Sequence, residues 1–599
     1  MSRFRLQSWI LACVMACGLV AGAARAEPVL SFNIATQNAD LREDLQAISL
    51  VGAAIEQQDS TPSDLVSAAL ADYRRLVETL YAYGHYSGVV RIQLNGQEAA
   101  SLSLLSLPDQ IQTILIAVDP GPPFRFGRTE IGPLAPGDTP PSEFVPGAPA
   151  LATVVREASQ SAVVGWRNEG HAKADLGTQQ ITANHSARTL SANLTITPGP
   201  KLRFGDLIIK GDSAVRDNRI ARIADLPAGR VYSPQTMDEM ATRLRRTGTF
   251  SSVSFREGPA QPDGTMDIEL TVVDRAPRRF GFGFELSSFE GASVSGFWLH
   301  RNLLGGAERF RVEAEVNQIS AQDGNGADFL LGARLEFPSA LRSDTTLFVF
   351  GELESLDEPN FRSDTFELGI GVIWHAMEGF EAETGISYFR SQTSLALGDV
   401  DYNLIAFPTI VTWDRRDEPL NATRGTFLRA TATPYLGVSG SASGLRLSAD
   451  ARGYRSFGEG RFVLAGRIQW GSIIGSGLLE THPDMLFLSG GGGTVRGQPY
   501  QSLGIEVAPN VTIGGRSFLG TMMELRANFS ETLGGVFFVD AGYVGSGSFL
   551  DSDGEWHAGA GFGVRYNTGI GPLRVDIAAP VSGDTSDGVQ LYIGIGQAF

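Results

Sequence analysis

The chain has 599 residues, enough for several domains at roughly 100–200 residues each. Its 48 Lys and Arg stand against 66 Asp and Glu, and the formal net charge of −18 excludes the basic footprint of a nucleic-acid binder. Both cysteines, Cys13 and Cys17, fall in the first twenty residues, which removes disulfides and Cys-based metal sites from the rest of the chain. Glycine is the outlier: residues 27–275 hold 19 and residues 276–599 hold 50, with no collagen period. The second half must be a structure that tolerates glycine throughout.

At the N-terminus Arg3 and Arg5 precede an apolar stretch from Trp9 to Val20, followed by Ala24-Arg25-Ala26. That is the order of a secretory leader, expected to span 1–26 with cleavage before Glu27. About twelve apolar residues are too few to span a bilayer as a helix. No later stretch approaches 18 uncharged apolar residues, so no membrane helix is expected.

The next segment repeats itself. Arg125-Phe126-Gly127, Arg203-Phe204-Gly205 and Arg279-Phe280-Gly281 recur 78 and 76 residues apart, and Pro120-Gly121-Pro122 and Pro198-Gly199-Pro200 lead into the first two. Such a period indicates an array of small domains. Within each unit a helical stretch runs to a glycine (Gly84, Gly170, Gly248), which suits a left-handed helix end. Strand-like runs such as 89–94 and 267–273 follow, giving each unit the order β-α-α-β-β. The expected boundaries are 27–120, 121–198 and 199–275.

From residue 278 the hydrophobic period becomes two. Phe310, Val312, Ala314 and Val316 alternate with Arg311, Glu313, Glu315 and Asn317, and Phe366, Leu368, Ile370, Val372 and Trp374 alternate with Glu367, Gly369, Gly371 and Ile373. Alternation over about ten residues matches a tilted membrane-spanning strand. Segmented this way, residues 276–599 yield sixteen strands, beginning near 278–288 and ending near 588–599. An even number of strands carrying charge and glycine on one face fits a closed outer-membrane barrel, and closure removes sheet edges.

One connection is far longer than a hairpin loop. It spans 475–515 and contains Gly490-Gly491-Gly492-Gly493-Thr494-Val495-Arg496-Gly497-Gln498-Pro499-Tyr500-Gln501-Ser502. No Lys-Ser/Thr follows the glycine run, so a phosphate-cradling reading is discarded. The Val495-Arg496-Gly497 triplet resembles the signature of the BamA/TamA superfamily, outer-membrane barrels preceded by periplasmic POTRA domains of β-α-α-β-β order. Trp413-Asp414-Arg415-Arg416-Asp417, Phe538-Val539-Asp540-Ala541-Gly542 and Gly571-Pro572-Leu573-Arg574-Val575-Asp576 are similar to that family as well. Three repeats and sixteen strands point to the TamA branch, since BamA-like members usually carry five such domains and two-partner secretion pores two.

The resemblance implies that the loop folds into the lumen and that Arg496 meets acidic groups on the wall. Asp540 is the family-matched partner and Glu524 a second candidate. Gln498 departs from the aromatic usual after Arg-Gly, so the loop is expected to be pinned less firmly. Tyr592, Gly594 and Phe599 fit the C-terminal insertion signal, with Gln597 as a departure. Phe280, Gly281, Phe282 and Gly283 make a glycine-rich first strand. Glycine weakens strand pairing, so this strand and the last one form the expected lateral gate, unless the glycines serve only to bend the barrel.

The implied activity is non-enzymatic assembly of β-barrel or autotransporter clients, without nucleotide or other cofactor. The implied partners are a TamB-like inner-membrane-anchored protein, unfolded outer-membrane clients and outer-membrane lipid. A two-partner-type pore exporting one cognate polypeptide is the alternative. A hydrolase finds no support: there is no Gly-x-Ser-x-Gly elbow and no His-Glu-x-x-His helix. The histidines at 85, 171, 185, 300, 375, 482 and 557 never fall three or four apart, and each is expected at a surface or turn.

Overall fold

A computed structural model of the chain describes residues 28–57, 61–102, 107–287, 291–319, 326–358, 360–458, 460–509, 511–569, 571–583, 588–597 and 599. The expected leader lies outside the described residues. The chain forms two compact units. One is built from Met1–Phe204 with Gly229–Pro234 and Ala260–Met266, the other from Gly205–Ala228, Gln235–Pro259 and Asp267–Phe599. The division cuts through the third repeat and leaves most of it in the same unit as the barrel.

In the first repeat the strand Val29–Ile34 is followed by helices Ala39–Ala47, Leu50–Glu56 and Pro62–Ala82, then strands Val89–Leu94 and Thr113–Asp119. The long helix starts where Thr61 and Asp64 form a reciprocal capping box and Pro62 takes the first turn. Its buried Leu65, Val66, Ala69, Leu76 and Leu80 recur at helical spacing and face the sheet. The helix ends before Gly84, whose φ is +80°. Among its described residues this repeat has three α-helices rather than the expected two.

The second repeat has one helix, Ala152–Asn168, between strands Arg125–Gly132 and Asp175–Asn184. The other expected helix would fall in 133–150, which contains Pro133, Pro136, Pro140, Pro141, Pro146 and Pro149. Proline has no N–H to donate and clashes with the preceding turn, so that stretch stays irregular. The third repeat has the full expected order: strand Arg203–Lys210, helices Asp217–Ala224 and Pro234–Arg246, and strands Phe250–Ala260 and Thr265–Asp274.

The recurring triplet has a local cause. Phe126 and Phe204 are buried, while Arg125 and Arg203 donate to the carbonyls of Gly147 and Gly229 at 2.7 and 2.8 Å. The third copy keeps the spacing but not the role: it lies in the first barrel strand, Arg278–Ser287, where Phe280 is 64% exposed.

Inside the second unit the third repeat is fastened to turns at one end of the barrel. Arg216, Arg219 and Arg222 lie three apart on one side of a helix and donate to the carbonyls of Leu304, Pro338, Ser339 and Ala340 at 2.7–3.0 Å. Ala307 from a barrel turn completes the repeat's core beside Ile220, Ile223 and Leu244.

Among the described residues sixteen antiparallel spans close into a barrel, from Arg278–Ser287 to Gln590–Ile595. One span consists of two pieces, Gly398–Ala406 and Thr409–Asp414. The break falls at Phe407-Pro408, where proline cannot donate to the ladder. Phe329, Leu331, Leu368 and Ile370 face outward and are exposed, whereas Arg334 and Glu383 pair at 3.1 Å on the inner face. Alternation therefore separates a lipid-facing apolar surface from a charged lumen. Among the described residues no helix is long and apolar enough to cross a membrane. The last strand is shorter than expected, ending at Ile595, because Gly596 adopts a φ of +91° and turns the chain inward.

Candidate functional site

Between strands Phe462–Ile474 and Ser517–Asn528 the long connection folds on itself before it meets the wall. Leu486, Phe487, Leu503 and Ile513 pack with Ile473, Phe518 and Val544 into a small core. Bridges at Phe487–Gly515, Ser489–Leu503 and Gly491–Val495 hold the two arms together. The Thr494 hydroxyl accepts from Gly490 N at 2.8 Å and so closes the glycine turn. At the tip, Gly497 has a φ of +93°, and a Cβ there would lie 2.6 Å from the Ala579 carbonyl. The wall gives way to match: a Cβ at Gly559 would lie 2.0 Å from Arg496 O, and one at Gly542 would lie 2.9 Å from Val495 Cγ2. Glycine on both surfaces is what lets the backbone of the loop lie against the barrel.

That approach carries Arg496 into a site where its side chain is only 1% exposed. Its Nε and Nη2 donate to the two oxygens of Asp540 at 2.7 and 3.0 Å, and its main-chain N donates to Asp540 as well. Nη1 donates to Glu524 at 2.7 Å and lies 3.5 Å from Asp576. The guanidinium sits 3.6 Å from the centre of the Phe538 ring. Two further arginines complete the cluster. Arg526 pairs with Glu524 at 2.8 Å, and Arg565 pairs with Asp576. Three buried cations thus face three buried carboxylates. A buried charge is tolerated on those terms, when it is both paired and hydrogen-bonded.

The cluster also holds the end of the chain. Arg526 donates to the main-chain oxygen of Phe599 at 3.0 Å, and Arg565 donates to Gln597 at 2.8 Å. Phe599 is buried on the lumen side against Tyr454, Ala465 and Met522. The expectation that it belongs to the seam is therefore corrected, and the turn at Gly596 is the reason. Gln597 replaces an aromatic with an amide that accepts from Arg565 and donates to Asn421.

Gln498 also departs from expectation. It is fully buried, and its amide donates to the carbonyls of Ala558 and Ser582 at 2.7 and 3.0 Å. Hydrogen bonding replaces ring packing, so the loop is pinned rather than slack. Two histidines are buried instead of lying at the surface. His482, on the loop, meets the hydroxyls of Ser391 and Thr393 and lies against Phe361, Phe389 and Tyr402. Burial pushes its pKa down to about 3. His557 Nε2 lies 2.7 Å from Ser489 Oγ, but its Nδ1 has no hydrogen-bond partner. Among the described residues no carboxylate orients that imidazole.

Sequence reasoning proposed Arg496, Asp540 and Glu524 and missed Asp576, Arg526, Arg565 and Phe538. The alternation rule could have found them. Glu524 and Arg526 share a strand face, as do Phe538 and Asp540, and period two turns each pair inward together.

The seam lies between Arg278–Ser287 and Gln590–Ile595. Only two rungs join these strands among the described residues, Leu286–Ile593 and Ser287–Tyr592. By contrast Gln590–Ile595 meets its other neighbour, Gly571–Ser582, over six rungs from Leu573–Ile595 to Ala578–Gln590. On the first strand Phe280, Phe282 and Phe284 are exposed on the outer face, with Phe282 at 87%. The inward positions Gly281 and Gly283 are occupied from the next strand: a Cβ at Gly281 would lie 2.1 Å from the Phe297 ring, and one at Gly283 would lie 2.4 Å from Ser295 Oγ. Gly594 is on the lumen face opposite Arg574. Tyr592 joins the seam to the loop, because its hydroxyl accepts from Gly497 N at 3.3 Å and donates to Gln590 at 2.6 Å.

Comparison with known proteins agrees with this geometry. A family model described as the Omp85 superfamily domain matches residues 302–599, and a POTRA model, described as a surface antigen variable number repeat, matches residues 202–275. The outer membrane protein assembly factor BamA of Neisseria meningitidis serogroup B is 25% identical over 297 residues. That match spans 47% of this chain and about a third of the relative, 32%. Among solved structures, BamA of Haemophilus ducreyi lacking POTRA domains 1–3 superposes with a TM-score of 0.61 at 17% identity, over 79% of this chain and 100% of that one. CdiB of Acinetobacter baumannii superposes with a TM-score of 0.51 at 12% identity, over 79% and 90%. Both likenesses are likenesses of fold.

Proposed function

The chain belongs to the Omp85 superfamily, whose barrel sits in the bacterial outer membrane with its POTRA domains in the periplasm, and from that premise we propose that it is an assembly factor for outer-membrane client proteins. The single observation that carries this reading is the seam, where among the described residues two rungs join the strands and the neighbouring pair has six. Below those rungs, among the described residues, the first strand shows no rung to the last over 278–285, and Phe280, Phe282 and Phe284 are exposed there. An incoming client strand can add to such an edge by main-chain hydrogen bonding. The client's own pairing and the burial of its apolar face in lipid supply the driving force, so no nucleotide or catalytic group is called for.

The POTRA array would receive unfolded clients in the periplasm and dock a TamB-like, inner-membrane-anchored partner. Three repeats support a place in the TamA branch. The inward loop acts as the brace of the opened barrel: it joins Arg496 to three strands and, through Gly497 and Tyr592, to the seam itself.

The test is depletion followed by a census of membrane fractions. Loss of particular barrel or autotransporter proteins from the outer membrane is the expected result. Normal levels of those proteins, with one secreted polypeptide held in the periplasm, would replace this reading with that of an export pore.

A further inference from the structure

We propose that Arg574 is the positioning residue that holds the barrel seam shut, by reaching over Gly594 to Glu285 on the first strand. This deepens the reading of the seam as the client's exit, and rests on it. The register makes the argument. The rungs Ser287–Tyr592 and Leu286–Ile593 are formed, and one further step brings Glu285 level with Gly594, where the described residues show no rung. Arg574 stands opposite Gly594 on the far side of the last strand. Three residues on three adjacent strands therefore line up on the lumen face, and the outer two are opposite charges.

The side chains span the gap that the backbone leaves. Arg574 Nη2 donates to Glu285 Oε1 at 2.5 Å, across 289 positions of sequence. Gly594 makes the crossing possible, since a Cβ there would lie 3.0 Å from Arg574 Nε and 3.3 Å from Nη2. Any side chain at 594 would press on the guanidinium along its path. Arg574 Nε is buried without a hydrogen-bond partner, and among the described residues Glu285 is the one carboxylate within ion-pair range of Arg574. Its hold on the seam therefore depends on that one contact.

The pair is also unequal in a way that suits a latch. The Arg574 side chain is 12% exposed, whereas that of Glu285 is 51% exposed. A half-exposed carboxylate regains water when it lets go, so this contact can break far more cheaply than the buried one at Arg496. The first strand carries the releasable partner, and the last strand lies under the fixed one.

The test uses residues 27–599 in lipid vesicles, with cysteines at Leu286 and Ile593 as the reporter of closure; that stretch has no other cysteine. Glu285→Arg and Arg574→Glu should each lower the oxidative cross-linking yield several-fold, and the two together should restore it. Gly594→Ala should lower it with both charges intact. Heat-modifiable mobility on gels identifies variants whose barrel has folded, and Arg574→Gln serves if a reversal fails that check. Unchanged yields in the single variants, or a double exchange no better than either single one, would overturn the latch. Restored yield by exchange, in single variants that still assemble clients normally, would leave the latch standing and overturn the exit reading.

Discussion

Arg496 is the residue on which the loop depends. Its guanidinium satisfies Asp540 on two prongs and Glu524 on a third N–H, and the Phe538 ring closes its face. Removing one partner of such a buried pair costs about 3–5 kcal/mol, because the carboxylates are left unmatched. Arg496→Ala should leave the barrel inserted, free the loop from the wall and impair client assembly. Arg496→Lys should rescue little, since an ammonium cannot span both Asp540 oxygens. Limited proteolysis of the loop together with client assembly checks both, and normal assembly in Arg496→Ala would count against the brace. His482 gives the loop a pH dependence. Its pKa is depressed to about 3 by burial, against an ordinary value near 6.5. A depressed histidine contributes fully above the unfolded value and loses its contribution as pH falls below about 6.5 toward 3. Loop protection should decline across that window, and His482→Gln should flatten the slope.

At the scale of elements, shape complementarity between loop and wall rests on glycine. A Cβ at Gly559 would lie 2.0 Å from the Arg496 carbonyl, which is backbone and cannot swing aside. Gly559→Val should therefore unseat the loop while leaving the ladder of its strand intact, and single-channel conductance should rise as the lumen empties. Conductance equal to the parent protein would mean that the loop does not fill the lumen in the membrane. The strands themselves were legible in sequence, because lipid on one side and a charged lumen on the other impose strict alternation from Phe310–Val316 to Phe366–Trp374. The repeats were legible by spacing, but not in their helices. Six prolines between 133 and 149 suppress one helix in the second repeat, and the first gains an extra one. Arg496 and Asp540 were visible through a resemblance. The compensating arginines were not, since pairing across the lumen joins residues far apart in sequence. Gln498 shows the limit most clearly: an amide in place of a ring read as weaker packing, yet two carbonyls on neighbouring strands bind it.

For the whole molecule, the excess of glycine in residues 276–599 now has positions. It lines the wall where the loop lies at Gly542 and Gly559, forms the loop tip at Gly497, and thins the seam at Gly281, Gly283 and Gly594. The same residue type thus serves opposite ends. It allows a tight fit between loop and wall, and it leaves a weak join between first and last strands. The third repeat is tied to the barrel turns through Arg216, Arg219 and Arg222. All of this converges on one claim, that clients leave through the seam. A disulfide between Leu286→Cys and Ile593→Cys would lock one of the two rungs, and residues 27–599 offer no competing thiol. Client insertion into vesicles containing the locked protein should stop and should return on reduction, whereas insertion at the parent rate through the locked barrel would contradict the account.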